Sequence, residues 1–478
     1  MVAHAKIYTG LFYLWALGIA SAFNAPSSFN PLEHLGGISP YFEPHDPPVS
    51  PAPPQGCTPV RAAYLSRHAA IYSNDFDYEE YIHPFIAKWQ NQTGIDWSKI
   101  PTLSFLARWT APISEAEGEL LTRMGRLEAT ELAVSLSFRY PNLRLPQRVW
   151  TSSAERTAKS AQALVRGFEL EENTINVVTI DESKEAGADS LTPYKSCPAY
   201  SGSTGSTQST TYREVFAKPI VARFNALAPA FGFTSKDIYG MMELCGYESV
   251  IRGRSPFCDL DLFSPDEWLG WEYTADIMYH YNVGYGNDAS GVIGLPWLRA
   301  TANLLMGIDS GSSDQDLYVS FTHRELPPTV LVAMGLFNNS EPGGLPERIN
   351  DTMPLDRINH RRAWKSSHIL PFLGNVAIER LNCTGSYGFP DGEYYRALVN
   401  NAPQQLPQCS NGPGTSCARS EFEQYLAARE SLFDGYSERC RVKYSNSTDV
   451  LTIYTDPAVG NGTAVGKRTI WEQAHAKR

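Results

Sequence analysis

From Val60 onward, β-like runs alternate with stretches whose apolar positions recur at helical spacing. No other feature limits the fold as much. Strands that alternate with amphipathic helices bury their apolar surfaces by stacking the helices on the sheet, so the order argues for an α/β core with both sheet faces covered. A chain of 478 residues can enclose such a core and carry further domains. Its apolar fraction of 42% and its 10 Trp, 25 Tyr and 21 Phe exclude a mainly disordered chain.

Three blocks carry residues suited to chemistry. The segment 60–72, VRAAYLSRHAAIY, ends an apolar run in Arg67 and His68. An imidazole nucleophile beside a fixed cation suits attack on phosphorus. Neighbouring arginines disfavour the imidazolium form, and guanidinium is the best fork for phosphate oxygens. Taken alone, the pair reads more readily as a satisfied core histidine. Residues 148–168, RVWTSSAERTAKSAQALVRGF, read as a short strand, a Ser/Thr-rich turn and a helix with Ala161, Leu164, Val165 and Phe168 on one face. Arg156 falls in the first turn of that helix, where an anion is favoured. Out of context it would be a solvated surface residue. In residues 317–337, LYVSFTHRELPPTVLVAMGLF, a β-rich run ends at His323 and Pro327-Pro328 suit a helix start. In open α/β sheets ligands gather beyond the carboxyl ends of strands, where both His68 and His323 sit.

These blocks resemble the histidine acid phosphatases, branch 2 of the histidine phosphatase superfamily. Arg67 and His68 match the RHGxRxP signature, but Ala69 stands where glycine is usual, Ile71 where the family has a second arginine, and Ser73 for the proline. The stretch around Arg156 matches S-x-x-R-x-x-x-S-A, whose arginine binds phosphate, and Met334-Gly335-Leu336-Phe337 is a near copy of LGLF. The family's His-Asp becomes His323-Arg324, with Glu325 as the nearest carboxylate, which looks like the inositol polyphosphate phosphatase branch. LTRMG at 121–125, AWKSSHILPF at 363–372 and ERLNC at 379–383 extend the resemblance from about Cys57 to Cys440.

The resemblance implies a phosphoglycerate mutase-like α/β fold, a central mixed sheet covered by helices on both faces with a smaller helical cap domain inserted. It implies a secreted phosphomonoester hydrolase, similar to fungal acid phosphatases and phytases, acting on a phosphorylated small molecule through a phosphohistidine. His68 is then the nucleophile, and Arg67, Arg156 and His323 hold the phosphoryl group. Glu325 is the candidate proton donor, unless it only caps or salt-bridges a helix start. One arginine is lost at Ile71 and one gained at Arg324, which would keep the pocket's positive charge. No metal or organic cofactor is implied, because arginines take the divalent ion's place. The same two departures also fit a phosphatase-fold protein that binds an anionic ligand without turnover, or a tailoring enzyme for a phosphorylated metabolite. Phytate and simple phosphomonoesters remain alternatives.

Along the chain, residues 1–22 read as a signal peptide: His4 and Lys6 precede an apolar stretch, and Ala20-Ser21-Ala22 offers a cleavage site. Residues 23–56 hold nine prolines and read as an extended arm laid over the body, disordered in part. Residues 57–182 and 301–478 form the α/β catalytic domain, and 183–300 a helical cap insertion. A helix is expected over 117–138, with Leu120, Leu121, Met124, Leu127, Leu132 and Leu136 on one side. The net charge of −11 without a Lys/Arg run argues against nucleic acid, and no further segment is long enough to span a bilayer. Eight cysteines without a C-x-x-C pair fit disulfides in an oxidising compartment and admit 105 full pairings. The family resemblance narrows these to Cys57–Cys383, Cys197–Cys440, Cys245–Cys258 and Cys409–Cys417. Glycosylation sequons stand at Asn91, Asn338, Asn350, Asn382, Asn446 and Asn461.

Overall fold

A computed structural model describes residues 29–168, 175–308, 315–339, 353–445, 447–455 and 463–464. The expected signal peptide and the sequons at Asn350, Asn446 and Asn461 lie outside the described residues. The chain divides into Met1–Asn30 and Pro31–Arg478, and everything below concerns the second unit.

Among the described residues nine strands form one mixed sheet: β1 (Cys57–Arg67), β2 (Arg148–Ser152), β3 (Asn176–Ile180), β4 (Leu317–Thr322), β5 (Asn375–Cys383), β6 (Gly392–Val399), β7 (Ala402–Gln404), β8 (Cys417–Ala418) and β9 (Thr463–Ala464). Their order is β7-β6-β5-β1-β4-β2-β3-β9, with β8 paired to β6. The central four, β1, β4, β2 and β3, run parallel, while β5, β6, β7 and β9 pair antiparallel around them. The parallel registers end together, Arg67 opposite Thr322, Thr151 opposite Phe321 and Ser152 opposite Ile180. One edge of the sheet therefore gathers the residues that follow four strands.

Successive strand residues point to opposite faces. Ala63, Leu65, Trp150, Val178 and Tyr318 join one core with α6 (Ser290–Met306), α7 (Leu326–Met334) and α8 (Arg419–Phe433). Their neighbours Ala62, Tyr64, Val149, Val319 and Phe321 are buried as well, on the other face, where the Tyr64 hydroxyl meets that of Tyr140 at 2.7 Å. Tyr140 directly follows α1 (Arg123–Arg139). Gly294 of α6 lets that helix lie on α7, since a Cβ there would fall 2.1 Å from the Thr329 carbonyl oxygen.

Helix α1 starts later than leucine periodicity predicts. A capping box at Ser114–Glu117 closes a separate short turn, Glu119 takes φ 63°, and Thr122 then caps the helix by accepting the Gly125 N–H at 2.9 Å. Its buried side is Gly125, Ala129, Leu132, Ala133 and Leu136, whereas Leu120 and Leu127 are 37% and 50% exposed. Small residues win because α2 (Glu155–Phe168) packs close: a Cβ on Gly167 would sit 2.3 Å from the Thr130 carbonyl oxygen.

Between β3 and β4 come α3 (Ser206–Leu227), α4 (Ser235–Arg252), α5 (Pro265–Asn282) and α6, with no strand among the described residues. Helix α4 carries the Cys245–Cys258 bridge and packs against residues far earlier in the chain. Trp109 donates to Glu248 at 3.2 Å, and the rings of Phe85 and Trp109 meet Phe257 edge-on. The other cysteines join as Cys57–Cys383, Cys197–Cys440 and Cys409–Cys417. From Pro31 on, the Pro-rich arm lies against the body at several points. The Gly36 N–H donates to Ser367 at 2.8 Å, Ser39 accepts from the Phe372 N–H at 2.9 Å, and Pro51 accepts from Arg139 at 2.9 Å. No helix among the described residues is long and apolar enough to cross a membrane.

Candidate active site

His68 follows β1, Ser152 ends β2, Glu182 lies just past β3 and His323 follows β4. The parallel register converts these sequence-distant positions into neighbours. The His68 N–H donates to the Thr322 carbonyl at 2.9 Å, and the two imidazoles stand edge to face with centroids 5.8 Å apart.

The tautomer of His68 follows from its partner. Nδ1 lies 2.9 Å from the Ala69 carbonyl oxygen, which can only accept, so Nδ1 carries the hydrogen and a neutral ring has its lone pair on Nε2. Burial, with the charges of Arg67, Arg156 and His323, pushes its pKa well below 6.5 against the weaker pull of that hydrogen bond. The shift favours the neutral ring. Arg67 is pinned by the carbonyls of Leu370, at 2.8 Å, and Gly37, and its guanidinium lies 4.6 Å from the centre of the Phe372 ring. Burial draws the Arg67 pKa down to about 10, which leaves it charged.

The loop after His68 is held from both sides. The Ala69 N–H donates to Ser160 at 2.9 Å, and Ser160 donates to the Arg156 carbonyl at 2.7 Å, which ties the loop to α2. Thr122 donates its hydroxyl to the Ala70 carbonyl at 3.1 Å. A Cβ on Gly125 would strike the same carbonyl oxygen at 2.4 Å, so glycine is required there for α1 to approach. This accounts for LTRMG and for the serine of the Arg156 block in physical terms.

His323 is fixed by Glu182, its Nε2 donating to Oε1 at 3.1 Å. Burial raises the Glu182 pKa, but the bonds from His323, Lys195 and the Ala154 N–H outweigh it and hold the carboxylate well below its ordinary range. Three buried polar atoms in this cluster have no partner: Arg67 Nε, Arg156 Nε and His323 Nδ1. Buried polar atoms are ordinarily satisfied, so two orphan guanidinium donors beside a free imidazole nitrogen at one sheet edge mark a candidate place for a ligand rich in acceptors.

A histidine phosphatase superfamily (branch 2) family model matches residues 61–400. The chain belongs to this superfamily. Acid phosphatase PHO1 of Komagataella pastoris is 30% identical over 433 residues, 87% of each chain. The thiamine-repressible acid phosphatase pho4 of Schizosaccharomyces pombe is 30% identical over 476 residues, 92% of this chain and 98% of its own. Among solved structures, the phytase from D. castellii shares the fold with a TM-score of 0.80 at 24% identity, covering 94% of this chain and 96% of that one.

The two departures of this histidine phosphatase from its signature differ in placement. Ile71 is 2% exposed and bridges to Leu121, so its side chain belongs to the core. Arg324 and Glu325 instead line a cavity of ≈ 390 Å³, with Gly37 of the arm, and the charge of Arg324 acts on Arg67. Glu325 holds the N-cap position of α7 but makes no capping bond; its carboxylate accepts from Arg324 Nε at 3.3 Å. Burial raises the Glu325 pKa, yet Arg324, His323 and Arg67 overcome it and keep the carboxyl below its usual range. Arg156 pairs with Glu119, a residue with left-handed backbone. Glu182, Glu119 and the Gly37 carbonyl are absent from the sequence reading. For Glu182 a signal exists, since it follows the run NVVTI by two residues and thus sits at a third strand end.

Proposed function

We propose that this histidine phosphatase is a secreted acid phosphatase that cleaves phosphomonoesters through a phosphohistidine at His68. The observation that carries the assignment is the Nδ1 bond to the Ala69 carbonyl, which turns Nε2 of a neutral ring into the nucleophile. Nε2 forms a bond to phosphorus as the bond from phosphorus to the alcohol oxygen breaks, and water then displaces His68. Arg67, Arg156 and Arg324 face the phosphoryl oxygens, and His323 meets one through Nδ1, the ring atom that Glu182 leaves free. Arg324 makes up for the arginine missing at Ile71. Glu325 protonates the leaving alkoxide: a phosphate dianion offsets the neighbouring cations, so the carboxyl takes up the proton that it delivers.

Residues 183–300 form the cap insertion, and the aromatic contacts of Phe85 and Trp109 with Phe257 extend that lid to residues near 83–109. Secretion through residues 1–22 agrees with four disulfides and with exposed sequons at Asn91 and Asn382. The test is rapid quench with a labelled aryl phosphate at high pH, which should trap phosphate on His68. Turnover without an adduct on this residue would refute the mechanism.

A further inference from the structure

The cavity in front of Arg324 and Glu325 is charged in an unexpected sense for a site that takes phosphate esters. Its lining also holds Asp77, Glu80 and Glu243, and among the described residues Arg324 is its one Lys or Arg. Glu80 pairs with Lys236, and Asp77 accepts from the Tyr247 hydroxyl and from Asn74, each at 2.6 Å. Glu243 differs from both. It is 2% exposed, lines the cavity, and its Oε2 has no hydrogen-bond partner. Next to it Tyr239 stacks on Trp271 with centroids 5.1 Å apart, and both rings line the same space. Arg213 lies by Tyr81 and Tyr239 and is not part of the lining.

A buried carboxyl with one oxygen free of any hydrogen bond, beside aromatic rings, is chemistry for a cation. Burial and the Asp77 charge push the Glu243 pKa well up against the pull of Arg213, so a ligand that brings a positive charge relieves the site. A second phosphate would meet carboxylates there. The volume of ≈ 390 Å³ suits a small ester.

We propose that Glu243, Asp77 and the Tyr239–Trp271 pair form a subsite for a cationic nitrogen on the alcohol part of the substrate. The favoured substrates are then phosphomonoesters of amino or quaternary ammonium alcohols, and polyphosphorylated alcohols are disfavoured. This selectivity rests on the phosphatase reading of the site.

The experiment compares kcat/KM of the full-length protein on choline phosphate, glycerol 2-phosphate and inositol hexakisphosphate, with p-nitrophenyl phosphate as a reference. Calorimetry measures binding of the first two. Choline phosphate should exceed glycerol 2-phosphate by about tenfold, as a cation held by aromatic faces and a carboxylate predicts, and inositol hexakisphosphate should fall below both. Glu243→Gln should cut the ratio of the first two by about tenfold. Equal values for them, or a preference for inositol hexakisphosphate, overturn the subsite. Should Glu243→Gln not fold, the wild-type ratio and Asp77→Asn decide. If even p-nitrophenyl phosphate is not turned over, the phosphatase reading fails separately. Calorimetry still judges the subsite, which stands if choline phosphate binds more tightly than glycerol 2-phosphate and falls if it does not.

Discussion

Two buried clusters in this molecule use the same residue types and come to opposite ends. Around Glu379, arginines meet a carboxylate and every strong contact is made: Glu379 accepts from Arg139 at 3.1 Å, Arg396 at 2.8 Å and Tyr140 at 2.6 Å. Guanidinium nitrogens of both arginines also reach the arm, at the carbonyls of Pro51 and Ala52. At the carboxyl edge of the parallel strands Arg67, His68 and His323 are buried as deeply and Arg156 is half-buried, yet Arg67, Arg156 and His323 each keep an unpartnered nitrogen. An unsatisfied buried donor costs about 1–3 kcal/mol. A complete network spends its electrostatics on holding the arm to the sheet. An incomplete one, on the function proposed above, holds them in reserve for a ligand with several acceptor oxygens.

Substitutions that strike one cluster and spare the other sharpen this contrast. The largest effect is expected for His68→Ala, which should lower turnover of an aryl phosphate by about 10⁴-fold or more without lowering the thermal midpoint near neutral pH. A variant that retains activity would move the nucleophile elsewhere. Glu379→Leu should do the reverse. It strands two buried guanidinium groups, so urea denaturation should report a loss of about 3–5 kcal/mol while the folded fraction keeps its kcat. Unchanged stability would mean that Arg139 and Arg396 find other acceptors.

Smaller and more selective is Glu325→Gln. Alkyl phosphates need a proton on the leaving oxygen and should slow by about 10²-fold, whereas nitrophenyl phosphate should slow much less. Equal losses would make Glu325 structural. The smallest effect concerns stability in acid. Because the folded His68 pKa lies below 6.5, the unfolded chain binds this proton first. The contribution is complete above pH 6.5 and is lost as pH falls toward the folded value. His68→Ala removes that penalty, so its thermal midpoint should decline less steeply than wild type below pH 6.5. Parallel declines would show that other groups govern acid unfolding.

Positions defined by local chain geometry were legible before any coordinates. His68, Arg156 and His323 could be placed because a strand end or a first helical turn is recognisable within some ten residues, and parallel α/β order makes such ends converge. The mixed sheet and the four disulfide pairs followed from the family resemblance and recur in the structure. The leucine pattern of residues 117–138 misled because it counts bulk, whereas the helix buries its alanines and Gly125, where close approach matters more than size.

By itself the amino-acid sequence determined which side chains stand at the ends of strands and helices, since hydrogen-bond periodicity and capping act between near neighbours. Only the tertiary structure decided what completes them. The Gly37 carbonyl on Arg67, Glu119 on Arg156 and Glu182 on His323 are brought in from 30 to 141 residues away. Nor could local pattern show that Ile71 turns into the core while Arg324 lines the cavity, with one Glu243 oxygen unpartnered in its wall. Burial and charge balance depend on every element packed around a group, and no local run of residues carries that information.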